Sequence, residues 1–188
     1  NAILGYEKTY QAWYGVDKVT LDSKRTSNAA GYMYTDSNGV EQYYDNQTDN
    51  YWQNHYQMFI THQFDESLAA NLGFHYTHGE GYYEEFSPKD WETTLSGYGL
   101  DSIKLGLPNV QYKLINNTST VHQKWLDNNF YGLTFDLNYA YSSDLNFIWG
   151  GAVNRYDGNH FGILLSADSL ANKDLNFEYD RNTAKKID

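Results

Sequence analysis

Histidines and carboxylates are the residues whose types could support metal or acid–base chemistry in this chain. His75 and His78 stand three positions apart in "HYTH". On a strand this spacing points the two rings to opposite faces, so they could not share a metal ion without a bend. Asp36, Asn38 and Gly39 lack the third oxygen ligand that an EF-hand loop places before its glycine. We therefore expect neither a histidine metal site nor a calcium site.

Candidate catalytic residues are few. A glycosidase needs two carboxylates that flank one bond, and Glu84, Glu85 and Asp90 are candidates that nothing in the sequence pairs. No nucleophile elbow, phosphate-binding loop or zinc-protease motif occurs, and the chain has no Cys for thiol chemistry. We expect a protein that is not an enzyme and has no cofactor.

Aromatic side chains are abundant, with 19 Tyr and 5 Trp. Tyr and Trp offer flat faces with a polar handle, which suits ring-bearing or sugar-like ligands and also suits a membrane interface. Four tyrosines that lie deep in predicted loops are the candidate ligand-binding residues: Tyr43, Tyr44, Tyr82 and Tyr83. Four aromatics that adjoin predicted strands are the candidate membrane-interface residues: Tyr51, Trp52, Tyr56 and Tyr76.

Charge and hydropathy exclude several classes of protein. The net charge of −11 argues against nucleic acid and against anionic headgroups as partners. Mean hydropathy is −0.73, and no stretch reaches the roughly 18 consecutive apolar residues of a spanning helix. The chain begins at Asn1 without an initiator Met or a secretory signal, so we expect that a signal was removed or that this is an interior segment.

Alternating residues predict strands at about 54–64, 68–76, 130–141 and 145–155. The turns "FDESL" and "YSSDL" both run from an aromatic residue through three polar residues to Leu. The period of two predicts that Asp136 and Asn138 share one face. It places these apolar residues on the other: Tyr131, Leu133, Phe135, Leu137, Tyr139, Leu145, Phe147 and Trp149.

Long polar stretches at about 5–50, 79–128 and 157–188 separate these strands, and such loops are unusual inside a compact domain. Short turns at one end and long loops at the other are typical of an outer-membrane barrel. The Asn38-Gly39 pair predicts a type I′ hairpin within the first loop. Ser87, Pro88 and Gly97 predict a short helix near 88–95, and "STVHQKWL" predicts one more helical turn.

Two long segments resemble the barrel region of TonB-dependent receptors of Bacteroidetes-type bacteria: "DNQTDNYWQNHYQMFITHQFDESLAANLGFHYTHGEGYYEEF" and "FYGLTFDLNYAYSSDLNFIWGGAVNRYDGNHFG". The resemblance implies a plugged barrel of about 22 strands that imports a scarce nutrient across the bacterial outer membrane. The nutrient would be a metal chelate, a cofactor or an oligosaccharide. The implied partners are that nutrient at the extracellular loops, outer-membrane lipid, the rest of the barrel with its plug, and TonB. The plug and the TonB-contacting motif would precede the barrel and are absent here.

We therefore predict an all-β fold: antiparallel up-and-down strands that form part of a transmembrane β-barrel, with no plug domain in residues 1–188. The long extracellular loops would carry a β-hairpin and a short helix. Both turns should lie together at one end of the sheet, and Asn1 and Asp188 at the long-loop end. The alternative is a soluble all-β carbohydrate-binding module with a Tyr-rich surface. A second sheet covering the apolar face would favour the module, whereas a bare face would favour the barrel.

Overall fold

The computed structural model describes residues 1–90, 94–170 and 175–181, and these residues form mostly antiparallel β-sheet. Six strands form one sheet in the order β1-β4-β5-β6-β7-β8, and β2 pairs with β3. The elements in chain order are β1 (Ala2–Tyr10), α1 (Lys18–Ser23), β2 (Tyr32–Thr35), β3 (Glu41–Tyr43), β4 (Thr48–Gln63), β5 (Leu68–Ser87), α2 (Asn109–Ile115), β6 (Thr120–Ser142), β7 (Leu145–Ala167) and β8 (Phe177–Asp180). Neither described helix is long and apolar enough to cross a bilayer.

The chain divides into two compact units. The first contains Asn1–Tyr6, Tyr51–Glu80 and Leu126–Asn159, and the second contains Glu7–Asn50, Gly81–Trp125 and His160–Asp188. The four long strands extend well beyond the predicted apolar segments, because their added residues are polar or aromatic on both faces and give no clean alternation.

Short turns connect the strands of the first unit. The amide of Phe64 donates to the carbonyl of Leu68 over 2.8 Å, and the Asp65 carboxylate accepts from the amides of Ser67 and Leu68. The amide of Ala140 donates to the carbonyl of Ser67 over 2.8 Å, which joins the end of β6 to the start of β5. Consecutive strands therefore pair as predicted, and both turns lie at the same end of this sheet.

The two faces of β6 differ in character within the first unit, as the period of two predicts. Phe135 contacts Trp149 with ring centroids 5.3 Å apart, and Tyr139 and Tyr141 make an edge contact at 6.5 Å. On the other face Asn138 donates to Asp136 over 2.5 Å. The predicted strand parity is therefore confirmed for these residues.

Hydrogen-bonded polar side chains cover much of the second face. Thr61 donates to Asn71, and Asn71 donates to Asp136, each over 2.8 Å. His55 Nδ1 lies 2.8 Å from the Thr77 hydroxyl. A row of amides, hydroxyls and one carboxylate thus crosses three strands, and cross-strand pairs of this kind stabilise a sheet.

The position of Asn1 corrects the prediction for the N-terminal end. Its amino group donates to the carbonyl of Gln57 over 2.8 Å, and the amide of Gln57 donates back to Asn1 over 2.9 Å. Asn1 therefore lies beside the middle of β4 and not at the long-loop end, because residues predicted as loop form β1, which pairs with β4. The prediction for Asp188 lies outside the described residues.

The second unit has its own small core. Five buried residues form it, and the rings of Tyr112, Phe177 and Tyr179 pack against it. The buried residues are Leu95, Tyr98, Leu100, Leu164 and Ala167. The long segments around the strands are therefore folded against strand residues in this unit and are not open loops.

The predicted hairpin forms between β2 and β3, with Tyr34 opposite Gln42. Its turn is not type I′, because Gly39 has a φ of 78° but Asn38 is not among the described non-glycine residues with positive φ. A type I′ turn needs positive φ at both central residues. Here the Asp36 carboxylate accepts from the amides of Asn38 and Val40 and fixes a longer loop.

The two predicted helical segments are also corrected. Residues 88–90, 94 and 95 form turns and irregular backbone, and Asp90 has a φ of 71°, which no helix accommodates. Residues 91–93 of that prediction lie outside the described part of the chain. Most of "STVHQKWL" belongs to β6, where cross-strand partners on β5 outweigh its local helical pattern. The helices lie elsewhere, at α1 and α2.

Candidate functional site

The apolar face of the first unit carries many large apolar side chains that are exposed to solvent. Met58 is 54% exposed, Phe74 is 42% exposed and Trp149 is 65% exposed. Monomeric soluble proteins rarely expose contiguous apolar patches of more than a few hundred Å², and larger patches mark partner or membrane contacts. This face is therefore the first candidate functional surface, and we name it the apolar band.

Aromatic rows bound the apolar band at two levels. The first row is Tyr56, Tyr76 and Tyr131, with centroids 6.1 and 6.4 Å apart. The second row contains Tyr139, whose ring neighbour Tyr141 contacts Phe147 at 6.5 Å. Eight residues of strand separate Tyr131 from Tyr139, which is about 27 Å along the strand at ~3.4 Å per residue. A tilt of about 40° reduces this to about 20 Å, close to the ~25 Å apolar height of a membrane barrel.

Polar side chains resume on this face beyond the first row. The Tyr76 hydroxyl donates to Asn129 over 2.7 Å. His78 Nε2 lies 3.1 Å from Asp127, two residues further along each of the two strands. Tyr76 and Tyr131 thus have the apolar band on one side and polar groups on the other, which is the environment that amphipathic rings favour at a membrane interface.

The four predicted interface aromatics divide between the two faces. Tyr56 and Tyr76 belong to the first row. Trp52 shares their face, because it precedes Tyr56 by four strand residues, and it stacks on Tyr6 at 4.8 Å. Tyr51 differs from the prediction: its ring covers Gly79 on the opposite face, where an added Cβ would lie 2.0 Å from the Tyr51 hydroxyl. Adjacent residues of a strand cannot share a face.

The second unit contains a cavity of about 670 Å³, which we name the aromatic pocket. This volume lies within the range of small-molecule sites, about 300–1,000 Å³. Its lining includes Tyr14, Tyr32, Tyr43, Phe86, Glu41 and Gln47. Gln47 is 2% exposed, and its side-chain oxygen accepts from the amide of Phe86 over 2.9 Å. A fixed amide and several aromatic rings thus surround one concave space.

The four predicted loop aromatics do not form one site. Tyr43 lines the aromatic pocket, while Tyr44 stacks on Phe86 at 6.3 Å and donates to Glu84. Burial, followed by the hydrogen bond with Glu84, raises the pKa of Tyr44, so it stays a neutral donor. Tyr82 and Tyr83 lie on β5 itself, at adjacent positions that point to opposite faces.

Tyr82 and Tyr83 have separate partners. Tyr82 packs on Trp125 at 4.4 Å. Tyr83 meets the edge of Trp13 at 4.5 Å, and the Lys124 ammonium lies 5.0 Å from its ring centroid. Both rings are thus packed within the second unit, and neither is among the residues that line the aromatic pocket.

Glu84 and Glu85 are both buried, with 5% and 7% exposure. Glu84 accepts from Tyr44, from Asn46 over 2.6 Å and from Gln123 over 2.7 Å. Glu85 instead accepts from Lys124 over 3.1 Å. The two carboxylates occupy opposite faces of β5 and have different partners, so they do not form the pair that could flank one glycosidic bond.

A buried polar network surrounds Glu85. His122 is 1% exposed, its Nε2 lies 3.4 Å from Glu85, and its Nδ1 lies 2.9 Å from the Tyr98 hydroxyl. Burial lowers the pKa of His122, and the Glu85 carboxylate only partly opposes this. Burial alone would raise the pKa of Glu85, but the hydrogen bond from His122 and the charge of Lys124 outweigh it and lower that pKa. A neutral imidazole between a phenol and a carboxylate fits these directions.

Metal ligation has no support in the described part of the chain, where no three His, Asp or Glu side chains are grouped to hold an ion. Comparison of the chain with protein families, with characterised proteins and with solved structures finds no match. The resemblance to TonB-dependent receptors therefore stays a hypothesis.

Proposed function

We propose that this chain is part of the wall of a bacterial outer-membrane β-barrel receptor that binds and imports a scarce nutrient. The apolar band of the first unit would contact lipid, and the aromatic pocket of the second unit would bind the nutrient. TonB and the rest of the barrel, with its plug, would be the partners during transport. This function requires no catalytic group from the chain.

One observation carries the proposal. The apolar band is bare and lies between two aromatic rows, while the opposite face of the same strands carries hydrogen-bonded polar side chains. In a membrane barrel the outward face is apolar and flanked by aromatic girdles, and the inward face is polar. In a soluble protein, by contrast, the apolar face of a sheet must be buried against another part of the protein.

The alternative, a soluble carbohydrate-binding module, draws its support from the aromatic pocket alone. Tyr14, Tyr32 and Tyr43 could stack on sugar rings. The module would also need its largest apolar surface to be covered, and Ile60 at 42% exposure and Phe74 at 42% exposure are not. The free-energy cost of leaving these apolar side chains in water favours a membrane protein over a soluble module.

The chain offers a matched pair of positions for a test. Trp149 lies on the apolar band with 65% exposure, and Ile148 lies beside it on the opposite face with 70% exposure. One variant would keep Trp149 as its single Trp, with the other four replaced by Phe. A second would carry Ile148→Trp as its single Trp, with Trp149→Phe added.

Fluorescence quenching of the purified protein in vesicles separates the alternatives. Brominated acyl chains should quench Trp149 strongly while aqueous iodide does not, because iodide stays out of the hydrocarbon. The Trp at position 148 should show the opposite selectivity. If iodide quenches both residues and brominated lipid quenches neither, the membrane proposal is wrong.

A further inference from the structure

The aromatic pocket contains three tyrosines that are partly exposed to solvent. Tyr14, Tyr32 and Tyr43 are 40%, 38% and 38% exposed, so part of each side chain is accessible to a ligand. Tyr32 meets Tyr43 edge to face, with centroids 5.8 Å apart and planes at 76°. Rings held at a large angle present π faces in different directions, which is how aromatic cages surround a cation.

The charge of this pocket has one sign. Among the described residues that line it, Glu41 is the one carboxylate, and none is Lys, Arg or His. The Tyr43 hydroxyl and the Lys24 ammonium both donate to Glu41 Oε2, each over 3.0 Å. The Lys24 side chain is 58% exposed, and an exposed ion pair of this kind is weak. The Lys24 ammonium thus already binds this carboxylate, and a cationic ligand could displace it.

We propose that the aromatic pocket binds a ring-bearing organic cation, with its charged group against the tyrosine faces and next to Glu41. This names the class of ligand for the proposed receptor, and only the ligand's role as imported cargo rests on that function. A volume of about 670 Å³ accommodates a molecule with at least one ring. An anionic chelate would instead meet a carboxylate and electron-rich ring faces.

Two alternatives predict different results. A neutral sugar could stack on the same rings and would be indifferent to the charge of Glu41. An anion would need Lys24 as its attachment point. The sign of the effect of Lys24→Gln therefore distinguishes the classes: affinity rises for a cation, is unchanged for a sugar and falls for an anion.

Isothermal titration of the purified protein provides the test, with benzyltrimethylammonium, its neutral carbon analogue neopentylbenzene, phenylacetate and methyl glucoside as probes. The cation should bind at least threefold more tightly than its neutral analogue. Glu41→Gln should weaken cation binding about threefold, and Lys24→Gln should strengthen it about twofold. Tyr43→Leu should weaken it, while Tyr34→Leu should not, because Tyr34 is on the same hairpin but is not among the lining residues.

Other outcomes would overturn the assignment. Equal binding of the cation and its neutral analogue, tighter binding of phenylacetate or methyl glucoside, or no binding of the cation would each do so. The altered residues Glu41, Lys24 and Tyr34 are exposed, so their variants should fold. The titration does not depend on lipid contact. If the titration shows no cation binding but brominated lipid quenches Trp149 selectively, the assignment of the ligand as a cation is wrong and the membrane proposal stands.

Discussion

Leu72 lies at the centre of the apolar band, so a charge at this position should be costly if the band contacts lipid. It is four strand residues from Tyr76 in the first aromatic row, which is about 14 Å at ~3.4 Å per residue. The bond between Asn71 and Asp136 places Leu72 level with Phe135, midway between Tyr131 and Tyr139. For Leu72→Arg we expect a loss of about 2–4 kcal/mol, the cost of Arg at the bilayer midplane of a membrane barrel.

Depth should decide the size of this loss. Leu68 lies on the same strand and the same face, but level with the second aromatic row, so Leu68→Arg should cost about 0–1 kcal/mol. Leu137 lies nearer the second aromatic row than Leu72 does, so the loss of unfolding free energy for Leu137→Arg should fall between those for Leu72→Arg and Leu68→Arg. Asn71→Arg is the control on the opposite face, where the Asp136 carboxylate accepts from residue 71, and we expect little loss.

Urea unfolding of the protein in phosphatidylcholine vesicles, followed by intrinsic fluorescence, would measure these free energies. A graded series, with Leu72→Arg the worst and Leu68→Arg and Asn71→Arg mild, is the expected result. On a water-exposed surface, Leu72 at 37% exposure would tolerate Arg within about 0.5 kcal/mol. Losses that do not depend on depth, or a negligible loss at Leu72, would refute the placement of this face in lipid.

Two further predictions concern the second unit. Folding lowers the pKa of His122 from its ordinary value of 6.5 and the pKa of Glu85 from 4.5, so the folded state binds fewer protons than the unfolded state. The stability that these groups contribute should be complete above their ordinary pKa values and should be lost as pH falls through the lowered pKa values of the folded state. Urea midpoints measured from pH 8 to pH 4 would check this, and His122→Gln should flatten the part of the fall that begins below about pH 6.5. Gly162→Ala should cost about 1–3 kcal/mol in thermal or urea unfolding, because its Cβ would lie 2.1 Å from the Tyr179 ring. Gly15→Ala, with open space around its Cβ, should cost little, and equal effects of the two would contradict the packing of Tyr179.

The period of two made the face assignment of the long strands predictable. One alternation specifies which side chains share a face, so residues such as Phe135 and Asp136 could be assigned from the sequence. The extension of β5 to Ser87 could not, because Glu84 and Glu85 are both polar. Their stabilising partners, Gln123 among them, lie about 39 residues away in the sequence.

The residues of the candidate sites could likewise be predicted from the sequence only in part. Trp52, Tyr56 and Tyr76 could be selected because they adjoin alternating strands, and local periodicity places them on one face. The aromatic pocket could not be found in this way. Tyr14, Tyr32 and Phe86 line the same cavity only through the tertiary fold, and no spacing in the sequence links them. Of the tyrosines selected for ligand binding, Tyr43 lines the pocket, and its ring partner Tyr32 was missed.

Lipid contact of the apolar band is the central claim, and spin-label accessibility along β6 tests it most directly. The chain has no Cys, so single cysteines at positions 133–138 can each carry one nitroxide label. In vesicles, labels at 133, 135 and 137 should collide often with oxygen and seldom with a water-soluble nickel complex. Labels at 134, 136 and 138 should show less contact with oxygen and more with nickel, which gives a period of two. If labels at 133, 135 and 137 are readily reached by nickel, or are reached by neither reagent because protein covers them, the face does not contact lipid and the membrane-receptor proposal is contradicted.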